Sequence, residues 1–529
     1  MINKLTKFYI RCAPGHTDIC HLEIYNILKT LKGSGTVNKE RDLGNKNSKN
    51  GLYVTTNDFK HGTELAMKSL TIQDIECVIL DEVCKSKRDV KRRMKKIVFD
   101  DFIPPHSFSN IDDFNNTFKM YARANKSIVN SSRFLKEEFC NALVASGVLQ
   151  ETVSLTTDDI HIPPTVSGTP PLLNTIRLSL IENRLTVGIS LAGEMDLYKR
   201  TYKDLSGTAT APLPEHHASA CILWTLHTIQ QKVNHSSIKN KLCINNIIIP
   251  FAGTGTLGFE SLLVLLDGSA GSGLFKERKF AFDSFPCSYI QTSDDKSNTV
   301  KLSTILRQQM KDEVTSKLLN ICQERNYNDM NVPIPHLNKG AKILYSDINE
   351  VALSSCEDNI TSFIQSSDNV FPSTLFMEPK LIDFLRDDVA SVLNHTSSDG
   401  GLDSGQVLAT KCDMSTYNTG TTFILLNPPF GLRLAKKSST ISMYNQIARQ
   451  LIGIREIIQQ TRQESSEHQD QQEELTVGPL LMGLCLCPDV QTWSTFITTL
   501  TATGGGFGCE TTHFSLGGND MRVVCFWAE

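Results

Sequence analysis

The sequence predicts an α/β protein in which a doubly wound sheet follows a smaller α+β half. Two runs typical of buried strands support the sheet: residues 242–249 lead into a glycine-rich turn and a helix, and residues 421–426 end in Asn-Pro-Pro. Ligands of such sheets bind at the carboxyl ends of parallel strands, so both strand ends are expected at one crevice. A strand-loop-helix pattern over 8–31 and two strand-like runs over 174–193 indicate the α+β half.

Length and composition are those of a globular chain. The chain has 529 residues, 40% of them hydrophobic and 21% charged, which is the length of about three domains. Its formal net charge of -4 means that any contact with nucleic acid must come from local basic patches. No stretch is long enough to cross a membrane, and the first residues lack the apolar run of a signal peptide, so no membrane association is expected.

The cysteines predict reduced thiols and no metal site. None of the 15 cysteines forms a Cys-x-x-Cys pair, and Cys485 and Cys487 alternate along a strand-like run. Reduced thiols are typical of cytoplasmic or nuclear proteins, and a mitochondrial location stays open.

The amino-terminal half alternates strand-like and helix-like segments. Its first strand, over 8–10, is followed by a turn and an apolar helix that reaches residue 31. A polar run over 39–50 predicts a flexible loop before a strand at 51–54. Residues 118–124 alternate like a strand, and residues 132–139 follow as a helix.

A basic stretch over residues 85–96 contains eight Lys or Arg residues among twelve. It can wind as a helix with Val90, Met94 and Ile97 as a narrow apolar stripe. An ordinary solvated helix face is one interpretation. The other is a strip that contacts RNA phosphates without reading sequence. The residues from which we expect RNA contacts are Lys85, Arg88, Lys91, Arg92, Lys95, Arg133, Lys136, Lys199 and Arg200.

The turn after residue 249 has the pattern of a cofactor-binding loop. Glycines let the backbone approach a ligand closely, and the start of the following helix offers free N–H groups to a carboxylate. A Gly-x-Gly alone is weak, but its place between a strand and a helix strengthens it. The residues expected to contact a cofactor here are Pro250, Phe251, Gly253, Thr254 and Gly255.

Two later strand-like runs end in carboxylates. The run over 341–347 ends in Asp347, at which a second strand would hold the ribose hydroxyls of a nucleotide, and Ile348 follows. Asp347 could instead be a simple helix cap. The run over 408–414 ends in Asp413 and Met414.

The corner formed by Asn427, Pro428, Pro429 and Phe430 ends the most apolar strand. The Asn427 side-chain oxygen and the Pro428 carbonyl can both accept hydrogen bonds from one exocyclic NH2 group, and Phe430 offers a ring on which a flipped-out base can stack. The same tetrapeptide also marks ordinary turns.

These motifs together resemble a known family. The corner is similar to the Asn/Asp-Pro-Pro-Phe/Tyr tetrapeptide of S-adenosylmethionine (SAM)-dependent amino methyltransferases, and residues 250–260 resemble their first motif. Residues 8–15, Phe-Tyr-Ile-Arg-Cys-Ala-Pro-Gly, resemble the start of bacterial-type large-subunit ribosomal RNA guanine-N2 methyltransferases that carry a THUMP RNA-binding domain. Residues 278–286 look like the insertion between the first and second strands of that family.

The resemblance implies a domain plan and a cofactor site. It implies a ferredoxin-like part over 1–60, a THUMP-like RNA-binding domain over 61–183 and a Rossmann-like methyltransferase domain over 184–529. The last domain would hold an insertion over about 267–338 and a flexible segment over about 462–474. SAM would be the cofactor, with Asp347 at its ribose, Asp413 at its adenine amino group, and Ile348 and Met414 as further cofactor-binding residues.

The chain departs from the family pattern at three places. Ile249 stands where the family has an acid before the proline of the first motif, which puts that acid's contact with the cofactor in doubt. The linking segment has Thr201-Tyr202-Lys203 where the family has Gly-Tyr-Arg. Pro214 replaces the arginine of an Ala-Pro-Leu-Arg-Glu box.

The implied reaction is methyl transfer to the N2 amine of guanine in structured RNA, with ribosomal RNA favoured and transfer or small nuclear RNA as other targets. The corner alone would hold adenine N6 equally well, so an adenine-N6 methyltransferase acting on DNA or RNA is one alternative. A binding module without turnover is another, which Ile249 and Pro214 suggest. The expected partners are RNA and, as in eukaryotic relatives, a small activating subunit, so that the protein would be a monomer or a heterodimer.

Overall fold

The structure is a computed structural model that describes residues 6–31, 36–38, 51–150, 174–203, 212–233, 243–266, 270–291, 299–322, 336–376, 379–386, 421–429, 437–467, 481–502, 506–516 and 519–528. Its strands are β1 (Thr6–Cys12), β2 (Thr36–Asn38), β3 (Gly51–Thr56), β4 (Ile72–Val83), β5 (Phe118–Asn125), β6 (Asn174–Ile181), β7 (Arg184–Ser190), β8 (Cys243–Ile249), β9 (Tyr289–Gln291), β10 (Thr299–Lys301), β11 (His336–Asp347), β12 (Lys380–Leu381), β13 (Thr421–Leu426), β14 (Leu481–Cys487), β15 (Phe507–Leu516) and β16 (Asn519–Ala528). Its helices are α1 (Thr17–Thr30), α2 (Phe59–Lys68), α3 (Lys87–Met94), α4 (Ile111–Asn115), α5 (Ser132–Ala145), α6 (Glu215–Val233), α7 (Thr256–Leu265), α8 (Leu302–Cys322), α9 (Glu350–Ser366), α10 (Lys437–Glu467) and α11 (Val490–Thr501).

The chain forms two compact units. The first comprises Met1–Arg200 and Gly271–Lys311, and the second comprises Thr201–Ala270 and Asp312–Glu529. These bounds differ from the predicted domains in two ways. Strand β7 follows the predicted boundary at 183 but pairs with β4 and β6, which places it in the first unit. The segment 271–311 falls within the predicted insertion but also belongs to the first unit.

Packing within the first unit explains why the segment 271–311 belongs to it. The Phe102 and Phe285 rings pack edge to face with their centroids 5.6 Å apart. Gly271 lies so close to α2 that an added Cβ would come within 2.4 Å of the Met67 carbonyl oxygen. These contacts join residues 183 and 204 positions apart, so the sequence pattern of either segment could not reveal them.

The sheet of the first unit has the order β2-β3-β1-β4-β7-β6-β5. The first four strands pair antiparallel and are linked through α1 and α2, which is the ferredoxin-like β-α-β-β-α-β arrangement. It runs to Val83 at the end of β4, beyond the bound at 60 that the sequence predicts. Beyond β4, β7 and β6 continue antiparallel, and β5 pairs parallel with β6 at the edge.

The sheet of the second unit has the order β12-β11-β8-β13-β14-β16-β15. Its first five strands are parallel and β16 is antiparallel to both neighbours. All residues of β13 and β14 are buried, as expected of parallel strands covered on both faces. The doubly wound α/β class predicted from the sequence is therefore confirmed.

Some predicted segments differ from the structure or lie outside its described residues. The flexible segment expected at about 462–474 is helical up to Glu467, where α10 ends, because its Gln, Glu and Arg residues are good helix formers. Residues 468–474, the loop over 39–50 and the strand-like run over 408–414 lie outside the described residues.

The linking segment contains a strained residue. Thr201 has a φ of +66°, in the left-handed region that β-branched residues avoid. This is the position at which the family pattern has glycine. The backbone therefore keeps a conformation suited to glycine, although the residue that favours it is absent.

We expect Thr201→Gly to stabilise the protein by about 0.5–1 kcal/mol, because relief of left-handed strain outweighs the entropy that glycine adds to the unfolded chain. Calorimetric thermal unfolding measures the effect. Thr55→Gly, at a half-buried position in the extended strand β3, is the control and should destabilise. Equal destabilisation by both substitutions would contradict the prediction.

Candidate cofactor and substrate site

The strand order of the second unit defines a switch point between β8 and β13. From β8 the chain moves outward to β11 and β12, and it then returns to the other side of β8 with β13 and β14. β8 and β13 are parallel and Ile248 lies opposite Ile424, so the carboxyl ends of the two strands lie side by side. Ligands of open α/β sheets bind in the crevice at such a point. The turn after β8 and the corner after β13 flank this crevice.

The turn after β8 is shaped by two glycines with positive φ, +52° at Gly253 and +84° at Gly255. The Gly255 amide donates to the Ala252 carbonyl at 2.8 Å, which tightens the turn before α7 begins at Thr256. Among the residues that the structure describes no side chain caps α7, so the amides of its first two residues remain as donors for a ligand. An added Cβ at Gly253 would meet no atom of the described residues within 4 Å, which leaves open space beside the turn in this part of the structure.

Asp347 ends β11 next to this turn. Its Oδ2 accepts a hydrogen bond from the Gly253 amide at 3.0 Å, and its Oδ1 accepts one from the Asn349 amide at 3.0 Å. The residue that caps α9 is Asn349, whose side chain accepts from the Val351 amide at 3.0 Å. The interpretation of Asp347 as a simple helix cap is therefore wrong. Its half-buried carboxylate braces the glycine turn, and the neighbouring Ile348 side chain is 66% exposed.

Asn427 carries an acceptor without a donor at the end of β13. Its Oδ1 is buried and has no hydrogen-bond partner among the residues that the structure describes. Such an acceptor costs about 1–3 kcal/mol when it stays unpaired, so a donor is expected there. Pro428 is buried and Pro429 is exposed, and Phe430 lies outside the described residues.

A buried network behind the turn escaped the sequence analysis. Glu260 in α7 is fully buried, and its carboxylate accepts hydrogen bonds from the Tyr202 hydroxyl at 2.8 Å and from the Ser219 hydroxyl. Asn359 in α9 donates to the Thr254 carbonyl at 3.1 Å. These buried hydrogen bonds hold α7 and the turn in place. The sequence offered only the place of Glu260 in the first motif as a signal, because its partners are distant in the chain.

A third parallel strand, β12, is followed by another carboxylate at the carboxyl ends of the strands. β12 is the outermost strand of the sheet and pairs with β11, and Asp383 lies two residues after the end of β12. The Asp383 carboxylate accepts from the Leu385 amide at 3.1 Å, and the Phe384 and Phe251 rings pack at 5.8 Å. A strand of two residues is too short to be predicted from a pattern. Asp413, predicted at the adenine, and Met414, predicted to bind the cofactor, lie outside the described residues.

Ile249 lies at the end of β8, opposite Tyr345 of β11. Both side chains are fully buried, and the Tyr345 hydroxyl has no hydrogen-bond partner among the described residues. Burial raises the pKa of Tyr345 far above its usual value, so the phenol stays protonated. The position that is acidic in the family is thus part of an apolar core in this chain.

The predicted RNA-binding residues are in the first unit, and most of them are exposed. Helix α3 forms over the basic stretch, with Val90 and Met94 buried as predicted. Lys91 pairs with Glu138 at 2.8 Å, and Arg92 pairs with Asp89 at 2.8 Å. Three further cations are exposed and have no ion-pair partner in the part of the chain that the structure describes; they are Lys85, Arg88 and Lys95.

Three of the other four predicted RNA contacts reach the solvent. Arg133 is exposed and pairs with Glu137 at 2.9 Å, Lys136 is half-buried, and Lys199 is exposed. Arg200 is different, since it is fully buried and donates to the Leu70 carbonyl at 2.7 Å and to the Tyr198 carbonyl at 2.9 Å. Its expected RNA contact is wrong for this structure, because the guanidinium satisfies buried backbone carbonyls.

Solved structures share this fold over nearly the whole chain. SMU.472, a methyltransferase by assignment that was crystallised with SAH, matches with a TM-score of 0.58 at 13% identity, covering 99% of each chain. A possible methylase from Clostridium difficile 630 gives a TM-score of 0.56 at 14% identity, again with 99% of each chain covered. A predicted N6-adenine-specific DNA methylase from Listeria monocytogenes str. 4b F2365 gives 0.56 at 14% identity, covering 99% of this chain and 97% of that one.

The chain therefore has the fold of Rossmann-like methyltransferases. Neither protein-family models nor curated protein sequences give a match to it. Among the described residues, no cluster of three or more His, Cys, Asp or Glu could hold a metal ion. No helix in those same parts of the chain is long and apolar enough to span a membrane.

The two glycines of the turn allow a matched test of the site. Both Gly253→Ala and Gly255→Ala place a side chain at positive φ, but only Gly255→Ala also brings Cβ within 2.8 Å of the Cys356 Sγ and of the Phe259 ring. We expect Gly255→Ala to cost about 1–3 kcal/mol more than Gly253→Ala, because the Cβ has no room in a packed core. Denaturant unfolding measures the difference, and equal losses would contradict the geometry.

Proposed function

We propose that this protein is a SAM-dependent methyltransferase that acts on the N2 amine of guanine in structured RNA. The observation that carries the proposal is the unpaired Asn427 Oδ1 at the switch point, beside the glycine turn and Asp347. The presence of SAH in the crystal of a protein with this fold supports the choice of cofactor. The resemblance of the motifs supports RNA and guanine N2.

The residues at the switch point fit SAM. The free amides at the start of α7 would bind its carboxylate, and the space beside Gly253 admits the ligand close to the backbone. Asp347 would accept the ribose hydroxyls while its oxygens hold the turn, and the exposed Ile348 would pack against the adenine. Asp383 is a second carboxylate at the carboxyl ends of the strands and would accept a hydrogen bond from the adenine amino group. SAM, when bound, supplies an activated methyl group on its sulfonium.

Asn427 would act by positioning and polarising the target amine. Its Oδ1 accepts one hydrogen of the exocyclic NH2 group, and the Pro428 carbonyl accepts the other. Held in this way, the amine lone pair points along a fixed direction and is less delocalised into the base. The two prolines keep the corner rigid, so the conformational entropy of ordering the acceptors is lost on folding and not when the base binds.

Guanine N2 is favoured over adenine N6 on the resemblance alone. The corner offers two acceptors and would hold either amine, and one protein with this fold is a predicted N6-adenine-specific DNA methylase. An adenine-N6 methyltransferase is therefore the second candidate. The third candidate is a binding module without turnover. It is suggested by the buried Ile249, which stands in place of an acid, and by Pro214, which stands in place of an arginine.

The first unit is proposed as the RNA-binding half. The exposed cations of α3, with Arg133, Lys136 and Lys199, form a sequence-independent contact for phosphates. The ferredoxin-like arrangement followed by β5, α5, β6 and β7 supports the THUMP-like interpretation. Ribosomal RNA is the favoured target and transfer RNA the next, with a small activating subunit as a further partner of a monomer or heterodimer. The described cysteines are free thiols, which supports a cytoplasmic or nuclear location.

We expect Asp347→Asn to weaken SAM binding about 10- to 100-fold, because one charged acceptor for the ribose hydroxyls is lost. Isothermal titration with SAM gives the affinity. Asp358→Asn, at an exposed position on α9, is the control and should bind SAM like the wild type. Equal affinity of the two variants would remove Asp347 from the site. A wild type that fails to bind SAM would favour the module without turnover.

We expect Asn427→Ala to lower methyl transfer about 100- to 1000-fold while SAM affinity stays within about twofold, because the lost acceptor serves the reacting amine. The assay is transfer of tritium from labelled SAM to unmodified total RNA, followed by nucleoside analysis. Label in N2-methylguanosine that disappears in the variant is the expected result.

Other labels would change the assignment. Label in N6-methyladenosine would keep the role of Asn427 and overturn guanine as the target. Label of equal intensity in wild type and Asn427→Ala would overturn the role of the corner. If only added cell lysate restores transfer, the activating subunit is required.

A further inference from the structure

One face of the sheet in the first unit is polar although the opposite face forms a core. Strand register places Phe8 and Ile10 of β1, Ile75 of β4 and Ile176 and Leu178 of β6 on the apolar face, where all are buried. The alternate residues form what we call the polar face, the side of the sheet that carries Arg11, Asp74, Glu76, Tyr121, Arg123 and Arg177.

Tyr121 is the exposed aromatic residue of this face. It lies on the edge strand β5, and its side chain is 43% exposed. The Arg177 guanidinium lies 5.1 Å from the centre of the Tyr121 ring, and the Lys119 ammonium lies 5.5 Å from it. A tyrosine ring with cations beside it is suited to bind a flat, electron-rich group next to a negative charge.

Arg177 is held in place by buried acids. Its guanidinium contacts Asp74 at 3.2 Å and Glu76 at 2.8 Å, and Arg11 contacts the same carboxylates at 3.4 and 2.8 Å. Asp74 also accepts from the Ser190 hydroxyl at 2.7 Å. Burial raises the pKa of both carboxyls, but the two arginines oppose that shift by balancing the charges. Arg177 therefore supports the Tyr121 ring rather than serving as a free cation.

The free cation of this face is Arg123. It is exposed two residues from Tyr121, on the same side of β5, and has no ion-pair partner among the residues that the structure describes. Lys119, two residues from Tyr121 in the other direction, pairs with Glu194 at 2.8 Å. Glu194 is exposed and Lys119 is half-buried, and ion pairs that the solvent reaches contribute little to stability, so Lys119 can exchange its partner for a phosphate.

We propose that Tyr121 stacks on an unpaired base of the RNA, with Arg123 and Lys119 contacting the phosphates on either side. This inference rests on the proposed function, which supplies RNA as the partner. A duplex hides the faces of its bases, so an exposed ring on a sheet can engage only a loop, a bulge or a single-stranded end. The basic helix α3 would contact backbone in any RNA, whereas Tyr121 selects for an unpaired nucleotide near it.

The test compares substitutions that separate stacking from charge. Binding of a labelled oligouridylate of about 12 nucleotides to the full chain is measured by anisotropy over a range of salt concentrations. We expect Tyr121→Leu to weaken binding about tenfold without changing the salt slope, and Tyr121→Trp to retain binding. Arg123→Gln should weaken binding and lower the salt slope by about 0.7, as expected for one lost phosphate contact. Tyr25→Leu, at another exposed tyrosine of this unit, is the control.

Photo-crosslinking gives a second readout that a purely structural role would not affect. An oligonucleotide containing 5-iodouridine should crosslink to Tyr121 in the wild type. Four results would overturn the proposal. Two concern the variants: Tyr121→Leu binds like the wild type, or Tyr25→Leu loses as much affinity as Tyr121→Leu. The other two concern the wild type: it does not bind the oligouridylate, or it crosslinks only at other residues. The tritium assay separates this failure from that of the proposed function, because methyl transfer to RNA can persist when Tyr121 is irrelevant. Capture of a protein on this face in place of RNA would also overturn it.

Discussion

The parallel pairing of β8 with β13 is the constraint on which the candidate site depends. It reverses the direction in which strands are added to the sheet, and so leaves a gap between the two connections that follow these strands. The glycine turn, Asp347 and Asn427 are over 170 positions apart in the chain at their extremes, yet each follows a strand that ends at this gap. The turn itself is held from three elements, since Asp347 after β11 and Asn359 of α9 bind its backbone and Glu260 anchors α7.

The sequence predicts the parts of the site that depend on local patterns. Gly253, Asp347 and Asn427 each follow an apolar run that ends abruptly, and this signal needs no knowledge of distant residues. Arg200 could not be predicted as buried, because its acceptor is the Leu70 carbonyl, 130 positions earlier. Asp383 was missed for a different reason, since the two-residue strand before it acquires meaning only when it pairs with β11. The fold class was predictable because buried parallel strands have a distinctive composition.

The formal charge of the chain gives a poor description of its surface. In the first unit the acids Asp74 and Glu76 are buried beneath arginines, and Glu138 is buried beside Lys91. Cations dominate where the solvent reaches, although acids outnumber bases in the composition. A partner sees the exposed charges and not their sum, so a chain with a net charge of -4 can offer a basic strip on α3 and a cationic edge around Tyr121.

The excursion of residues 271–311 into the first unit has a consequence for synthesis. The ribosome delivers Met1–Arg200 first, then β8 and α7 of the second unit, and only afterwards the segment that completes the first unit. The amino-terminal unit must therefore wait, with the surface around Met67 and Phe102 uncovered, while about 70 residues of the other unit emerge. During translation the two units are thus obliged to mature together, and neither can be exchanged between proteins as a contiguous block of sequence.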